Sequence, residues 1–295
     1  MNIRIALIGF GEAGRSFAEA GEWQRAAQVF DIKTLDSASA VPMRDAYSAC
    51  GVTGCDTLAD ALEGAQIILS LVTADQTPAA ARAAAKFMSK GALFCDLNSV
   101  SPGAKQGNAA VIEAAGARYV DVAVMSPVQP AALAVPLLVS GPHAQDAADM
   151  LRSIGFTKVQ ISGEKIGDAS ATKMVRSVMV KGIEALTAEM LLAAQAAGVT
   201  DAVLASLGGD WAQKADYNLD RMLAHGTRRA AEMEEVVATL TELGIEPLMT
   251  RGTVVRQRAL GAILGDAPMP EGLDAKFALI DRNTEQKMQG KADAA

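Results

Sequence analysis

The segment Gly9-Phe10-Gly11-Glu12-Ala13-Gly14 has the spacing G-x-G-x-x-G, and the chemistry of that spacing is done by the backbone. Gly9 permits a tight turn, Gly11 lets a pyrophosphate approach the main chain, and Gly14 lets the following helix pack on the preceding strand. The main chain around Phe10, Glu12 and Ala13 would then present N–H groups at a helix N-terminus, where the dipole favours phosphates. Asp31 ends the apolar Val29-Phe30 run, 17 residues after Gly14. An acid there accepts the adenosine ribose hydroxyls and repels a 2′-phosphate. This favours NAD; NADP stays open, because Asp36 is a rival acid and Lys33 and Arg44 could serve a phosphate. A glycine turn that holds no nucleotide is the alternative for the whole segment. Further along, Lys173, Ser177 and Lys181 lie four residues apart and so share one helix face. By spacing alone Lys173 is an exposed helix lysine.

A dinucleotide turn requires a strand before it and a helix after it. Ile3–Ile8 is short, β-branched and ended by Gly9, which predicts a buried first strand rather than a signal peptide. Helical residues follow to about Trp23. Further strands are expected at 27–31, 67–72, 93–97, 119–124, 137–139 and 158–161, with helices near 58–62, 79–88, 111–115 and 144–154. Alternating strands and helices imply a parallel sheet covered on both faces, an α/β Rossmann-type domain. After Gly163 the pattern changes. From Asp168 to Ala197 there is no proline, and Met174, Val178, Ile183, Leu186 and Met190 recur at helical spacing, predicting one interdomain helix of about 45 Å. Segments 200–207, 211–224, 228–243 and 247–264 also have helical patterns, so the second domain is expected to be all-α. The division is 1–165 for a dinucleotide-binding domain and 166–295 for a helical substrate and dimerisation domain, with a polar, disordered tail from about Thr284.

Composition narrows the class. The chain has 295 residues, half of them apolar, a net charge of −7, three cysteines and two histidines. No run of 18 apolar residues exists, so no spanning helix is expected. The acidic balance disfavours nucleic acid and anionic membranes as partners. Cys50, Cys55 and Cys95 form no metal-ligand or disulfide pattern, and His143 and His225 are too few for a Cys/His zinc site, so no metal is expected and a reducing cytoplasmic setting is the default. The long apolar-striped helix exceeds what a small helical domain can cover, which suggests a homodimer.

The glycine loop, the segment Asp96-Leu97-Asn98-Ser99-Val100-Ser101-Pro102 and the helix start Gly167-Asp168-Ala169-Ser170-Ala171-Thr172-Lys173 together resemble the β-hydroxyacid dehydrogenase family. This is the 3-hydroxyisobutyrate dehydrogenase-like branch of the 6-phosphogluconate dehydrogenase NAD-binding superfamily. The resemblance runs from Met1 to about Gly198 and is weaker beyond. It implies cofactor binding at Gly9, Gly11 and Gly14, a nicotinamide-side loop at Val72 and Thr73, substrate and cofactor contacts at Asn98 and Ser99, and catalysis by Lys173. Glu189 and Gly198 keep the same register. Departures are Ala169 for a glycine, Ser177 for an asparagine, Asn98 for a serine, and Met125-Ser126-Pro127 where the family has Ser-Gly-Gly. Met125, Ser126, Ser177 and Lys181 would line the substrate side.

The stretch His225-Gly226-Thr227-Arg228-Arg229 resembles a divergent bacterial subgroup whose C-terminal domain has no assigned function. Arg228 and Arg229 would clamp a substrate carboxylate, or form a solvated basic turn balanced by Glu232, Glu234 and Glu235. His225 would be a second acid/base or a helix cap.

The activity that the resemblance implies is hydride transfer between a nicotinamide cofactor and a 3-hydroxy acid or β-hydroxy-α-amino acid, with Lys173 as general acid/base. A lysine titrating near ~10.4 needs burial or a cationic neighbour to act near neutrality. Three rivals remain. An imine or keto reductase of the same architecture usually carries Asp or Tyr in place of Lys173. A decarboxylating enzyme would need a phosphate clamp. A non-catalytic dinucleotide sensor or structural dimer would keep the glycines without needing Lys173.

Overall fold

The computed structural model describes residues 3–265 and 267–292. Its contacts divide the chain into two units, Met1–Lys173 and Met174–Ala295. In chain order the first unit contains β1 (Ile5–Ile8), α1 (Glu12–Ala20), β2 (Ala27–Phe30), α2 (Ala40–Ala49), β3 (Thr53–Gly54), α3 (Leu58–Leu62), β4 (Ile67–Ser70), α4 (Thr77–Ala84), β5 (Leu93–Asp96), α5 (Pro102–Ala114), β6 (Arg118–Val124), β7 (Leu137–Ser140), α6 (Ala144–Ser153) and β8 (Val159–Gly163).

These strands form one sheet in the order β3-β2-β1-β4-β5-β6-β7-β8. Its strands are short apolar runs because both faces are covered, so successive residues bury into opposite layers. Ile5, Leu7, Ile67, Leu69, Val120 and Val122 enter one core, while Ala6, Ile8, Ile68, Phe94 and Tyr119 enter the other. The expectation of a parallel sheet needs one correction: β7 runs antiparallel to β6. Between them lies only a 3₁₀ turn, Ala132–Ala134, and without a crossover helix the chain returns beside the strand it left. The two-residue β3 went unpredicted because it carries no apolar run.

The helix α7 (Asp168–Ala196) begins in the first unit and continues into the second. It is followed by α8 (Thr200–Leu207), α9 (Trp211–Glu242), α10 (Leu248–Gly261) and α11 (Gly272–Ala292). The segments 211–224 and 228–243, expected as two helices, fall on the single α9, which ends at Glu242. Gly226 does not break it, because this glycine serves close packing on α10. A Cβ at Gly226 would lie 2.2 Å from the Gln257 carbonyl oxygen, and one at Gly261 would lie 2.2 Å from the Thr227 nitrogen. Gly226→Ala is therefore expected to destabilise the helical unit by about 3 kcal/mol, read as a lower urea midpoint. An unchanged midpoint would show that the two helices do not approach this closely. The tail expected from about Thr284 overlaps the last part of α11, which is drawn through Ala292; 293–295 lie outside the described residues.

Candidate functional site

The strands β2, β1, β4 and β5 are neighbours, and their parallel register puts the ends carrying Asp31, Gly9, Leu71 and Leu97 along one edge. The chain moves outward from β1 to β2 and β3, then returns to β4 on the other side of β1. This reversal is the switch point at which open α/β sheets bind ligands.

Gly9 sits at φ +92°, and a Cβ there would come 2.6 Å from the Leu71 carbonyl oxygen. Only glycine fits this turn. Gly14 is similarly close to the chain, 3.0 Å from the Gly9 carbonyl oxygen. Gly11 differs: a Cβ there meets nothing within 4 Å. It occupies the N-cap of α1, where no side chain caps the helix and Glu12 and Ala13 form the first turn. Space and main-chain donors thus coincide, as a phosphate requires.

Asp31 is buried, at 8% exposure. Its Oδ2 accepts the Phe10 N–H at 2.7 Å and its Oδ1 accepts the Lys33 N–H at 2.9 Å. The carboxylate therefore ties the glycine turn to the end of β2 while about two of its four acceptor positions remain. A cavity of about 350 Å³ is lined by Gly9, Gly11, Asp31, Lys33, Val72 and Thr73, among others. Five sequence-expected cofactor residues are brought together there. Phe10 is fully buried, with its ring edge-on to Tyr47 at 5.1 Å. Asp36 is absent from the lining and accepts from Ala38 and Ser39, while Arg44 pairs with Asp56.

At the end of β5, Lys173 Nζ donates to Ser99 Oγ at 2.6 Å. Beside it, Asn98 Nδ2 donates to Asp96 Oδ1 at 2.7 Å and Ser70 Oγ at 3.0 Å. Both amide hydrogens are thus engaged, and Asn98 Oδ1 is buried with no hydrogen-bond partner. An unpaired buried acceptor is costly, so this oxygen suits a ligand that donates. Asp96 also accepts from Tyr119 OH at 2.8 Å and Asn108 Nδ2 at 3.2 Å. Burial alone would raise its carboxyl; the Lys105 ammonium and these donors outweigh that and hold it below the usual carboxylate value. Burial and the Asp96 charge push Tyr119 well above its ordinary value, keeping it a proton donor.

The other candidates are placed as follows. Met125 follows β6 and is half-buried, its N–H donating to the Pro136 carbonyl; the exposed Ser126 hydroxyl bonds the Pro127 carbonyl at 3.3 Å. Ser177 and Lys181 follow Lys173 along α7, and Lys181 Nζ pairs with Glu232 Oε2 at 2.7 Å. Arg229 is buried in an ion pair with Glu184, which also accepts from Gln257 at 2.9 Å; Arg228 pairs with Glu232. The expected basic turn is thus part of α9, and both guanidiniums hold carboxylates of their own unit. His225 lies on the same helix.

Sequence reasoning missed Lys105, Asp121 and Tyr119. The one available signal was an acid inside an apolar strand, Val120-Asp121-Val122. The surroundings of the three cysteines raise their thiols instead of activating them. Burial, then the Asp96 charge, pushes Cys95 up to about 12; burial and Glu19 push Cys50 up to about 11; Cys55 is also raised, chiefly by burial. Among the described residues no three His, Cys, Asp or Glu side chains cluster as a metal site. No described helix is long and apolar enough to cross a membrane.

A family model described as the NAD binding domain of 6-phosphogluconate dehydrogenase matches residues 4–163. A second, a domain of unknown function (DUF1932), matches residues 194–260. A conserved hypothetical protein of Sinorhizobium meliloti is 37% identical, with 96% of this chain and 97% of that chain covered and a TM-score of 0.78. A conserved protein of unknown function, described as structurally similar to 3-hydroxyacid dehydrogenases, is 28% identical, with 88% and 97% covered and a TM-score of 0.71. At 17% identity, with 96% and 99% covered and a TM-score of 0.70, the Mycobacterium tuberculosis 3-hydroxyisobutyrate dehydrogenase shares the fold.

Proposed function

The chain belongs to the family of the NAD binding domain of 6-phosphogluconate dehydrogenase, and from that premise we propose that it is a nicotinamide-dependent dehydrogenase acting on the CH–OH group of a small molecule. The observation that carries this reading is the Lys173–Ser99 contact at the end of β5, on the same sheet edge as the glycine turn. The fold is Rossmann-type α/β followed by helices, similar to 3-hydroxyacid dehydrogenases. Residues Gly9, Gly11 and Asp31, with Val72 and Thr73, would hold a dinucleotide: the turn is open at Gly11, and Asp31 retains acceptor capacity. When bound, the nicotinamide ring supplies hydride exchange at its C4.

The proton is the task of the protein. Lys173 Nζ takes the hydroxyl proton during oxidation and returns it during reduction, with Ser99 Oγ orienting the ammonium. Asn98 Oδ1 accepts a donor from the ligand. NAD is the favoured nucleotide, because Asp31 would repel a 2′-phosphate; Lys33, on the same cavity, is the feature that favours NADP. The substrate proposed is a 3-hydroxy acid or β-hydroxy-α-amino acid bulkier than 3-hydroxyisobutyrate, as Met125 adds a flexible apolar group. The setting is cytoplasmic.

A panel of hydroxy acids, hydroxy amino acids and alcohols, followed at the NADH absorbance, tests the reading. Failure of both NAD and NADP to bind would overturn it, and preference for tartronate semialdehyde over larger substrates would overturn the size argument. Reduction of imines without activity on hydroxy acids would favour the reductase reading.

We also propose a homodimer. Val175, Met179, Ile183 and Leu186 form an exposed stripe along α7, with Met179 at 66% and Leu186 at 62%, and a second copy of the chain would cover it. Sedimentation is expected to give a dimer at micromolar concentration; a stable monomer would refute it.

A further inference from the structure

Lys105, on α5, has no exposed surface, and the proton-transfer scheme makes no use of it. A buried ammonium is costly unless it is paired. Its Nζ lies 3.1 Å from Asp96 Oδ1 and 3.4 Å from Asp121 Oδ1, and it donates to the Asp96 main-chain carbonyl as well. Each aspartate acts on a different part of the site.

Asp96 governs the end of β5. It accepts the Asn98 N–H at 3.0 Å and Asn98 Nδ2 at 2.7 Å. A carboxylate can only accept, so the Asn98 amide must turn its nitrogen toward Asp96 and Ser70. The carbonyl Oδ1 is left as the atom with no partner. Asp121 governs the start of α7. It accepts Ser170 Oγ at 2.6 Å, the Ser170 N–H at 2.9 Å and Ser140 Oγ at 3.2 Å, while Ser140 Oγ accepts the Ala169 N–H at 2.9 Å. Ser170 precedes Lys173 by three residues, about one helical turn. Where the two parts meet, Lys173 Nζ donates to Ser99 Oγ.

We propose that Lys105 is a positioning residue: by bridging Asp96 and Asp121 it sets the separation between Ser99 and Lys173, and it holds Asn98 as an obligate hydrogen-bond acceptor. The three charges depend on one another: loss of the lysine leaves two carboxylates with no cation between them, which is far costlier than loss of the whole group.

This proposal rests on the reading of Lys173 as the proton carrier, but its test requires no turnover. The full chain and its Lys105→Met and Asp121→Asn variants are labelled with trinitrobenzenesulfonate across a range of pH. The peptides carrying Lys173 and the exposed Lys86 are then quantified by mass spectrometry. Asp121→Asn keeps an acceptor for Ser170 and leaves Lys105 paired with Asp96, so it stands in should Lys105→Met fail to fold. The apparent pKa of Lys173 labelling is expected to move by about half a pH unit or more in each folded variant, while Lys86 keeps its profile. A Lys173 profile equal to wild type in a variant with native circular dichroism would overturn the proposal. The dehydrogenase reading fails on different results, the absence of nucleotide binding or full activity without Lys173, so the two failures are distinguishable.

Discussion

Lys173→Met is expected to lower turnover of the substrate identified in the panel by about 10³-fold, within the range for loss of a positioned general acid/base, while NADH still binds. Methionine keeps the apolar stem and removes only the group that donates to Ser99 Oγ. The cavity at the glycine turn is lined by residues that fall between Ile8 and Ala83, and Lys173 is not among them. A loss confined to kcat therefore separates proton transfer from binding. Ser99→Ala, which removes the hydroxyl but not the amine, is expected to give a smaller fall in the same direction. A Lys173→Met enzyme turning over at the wild-type rate would refute the lysine mechanism. Loss of NADH binding in that variant would place Lys173 in the nucleotide site instead.

The second large effect separates two glycines that the motif makes look equivalent. Gly11→Asp is expected to weaken NADH binding by about 100-fold, or about 2.7 kcal/mol, while thermal stability holds or rises. Gly11 has φ −76° and ψ −155°, the backbone of an N-cap, and α1 has no side-chain cap. An aspartate there would cap the first turn and favour the fold, yet its charge would occupy the space that suits a pyrophosphate. Gly9→Ala is expected to do the reverse. Its Cβ meets the Leu71 carbonyl at 2.6 Å with φ at +92°, so folding stability falls by about 1–3 kcal/mol or more, and binding is lost with it. Calorimetry of NADH binding beside a thermal melt reads both variants. Wild-type NADH affinity in Gly11→Asp would show that no phosphate sits over α1.

Much of the dinucleotide side was legible because its requirements are local. A short β-branched run followed by G-x-G-x-x-G dictates strand, turn and helix within 20 residues, and the structure brings Gly9, Gly11, Asp31, Val72 and Thr73 to one cavity. Lys173 was different. Its helix was evident from periodicity, but its role came only from resemblance, since an i, i+4 lysine has the same pattern whether solvated or engaged with Ser99. Arg228 and Arg229 show the opposite outcome. Their sequence leaves open a clamp for a substrate carboxylate or a basic turn balanced by Glu232, Glu234 and Glu235; Glu232 does pair with Arg228, while Glu184, 45 residues before Arg229, takes the other guanidinium. The segments 211–224 and 228–243 have separate helical patterns in the sequence, yet α9 runs through both, and the close approach of Gln257 explains why a glycine stands at 226 between them.

The sequence by itself determined the layer order of the first unit, the helical character of the second and the turn that suits a phosphate. Each follows from periodicity or from backbone chemistry within a few residues. The tertiary structure decided which polar side chains meet. Asp96, Lys105 and Asp121 come from β5, α5 and β6, and no spacing rule links them. Only when the sheet places β5 beside β6, with α5 packed against it, does Lys105 become a buried bridge between the strand end at Ser99 and the helix start at Lys173.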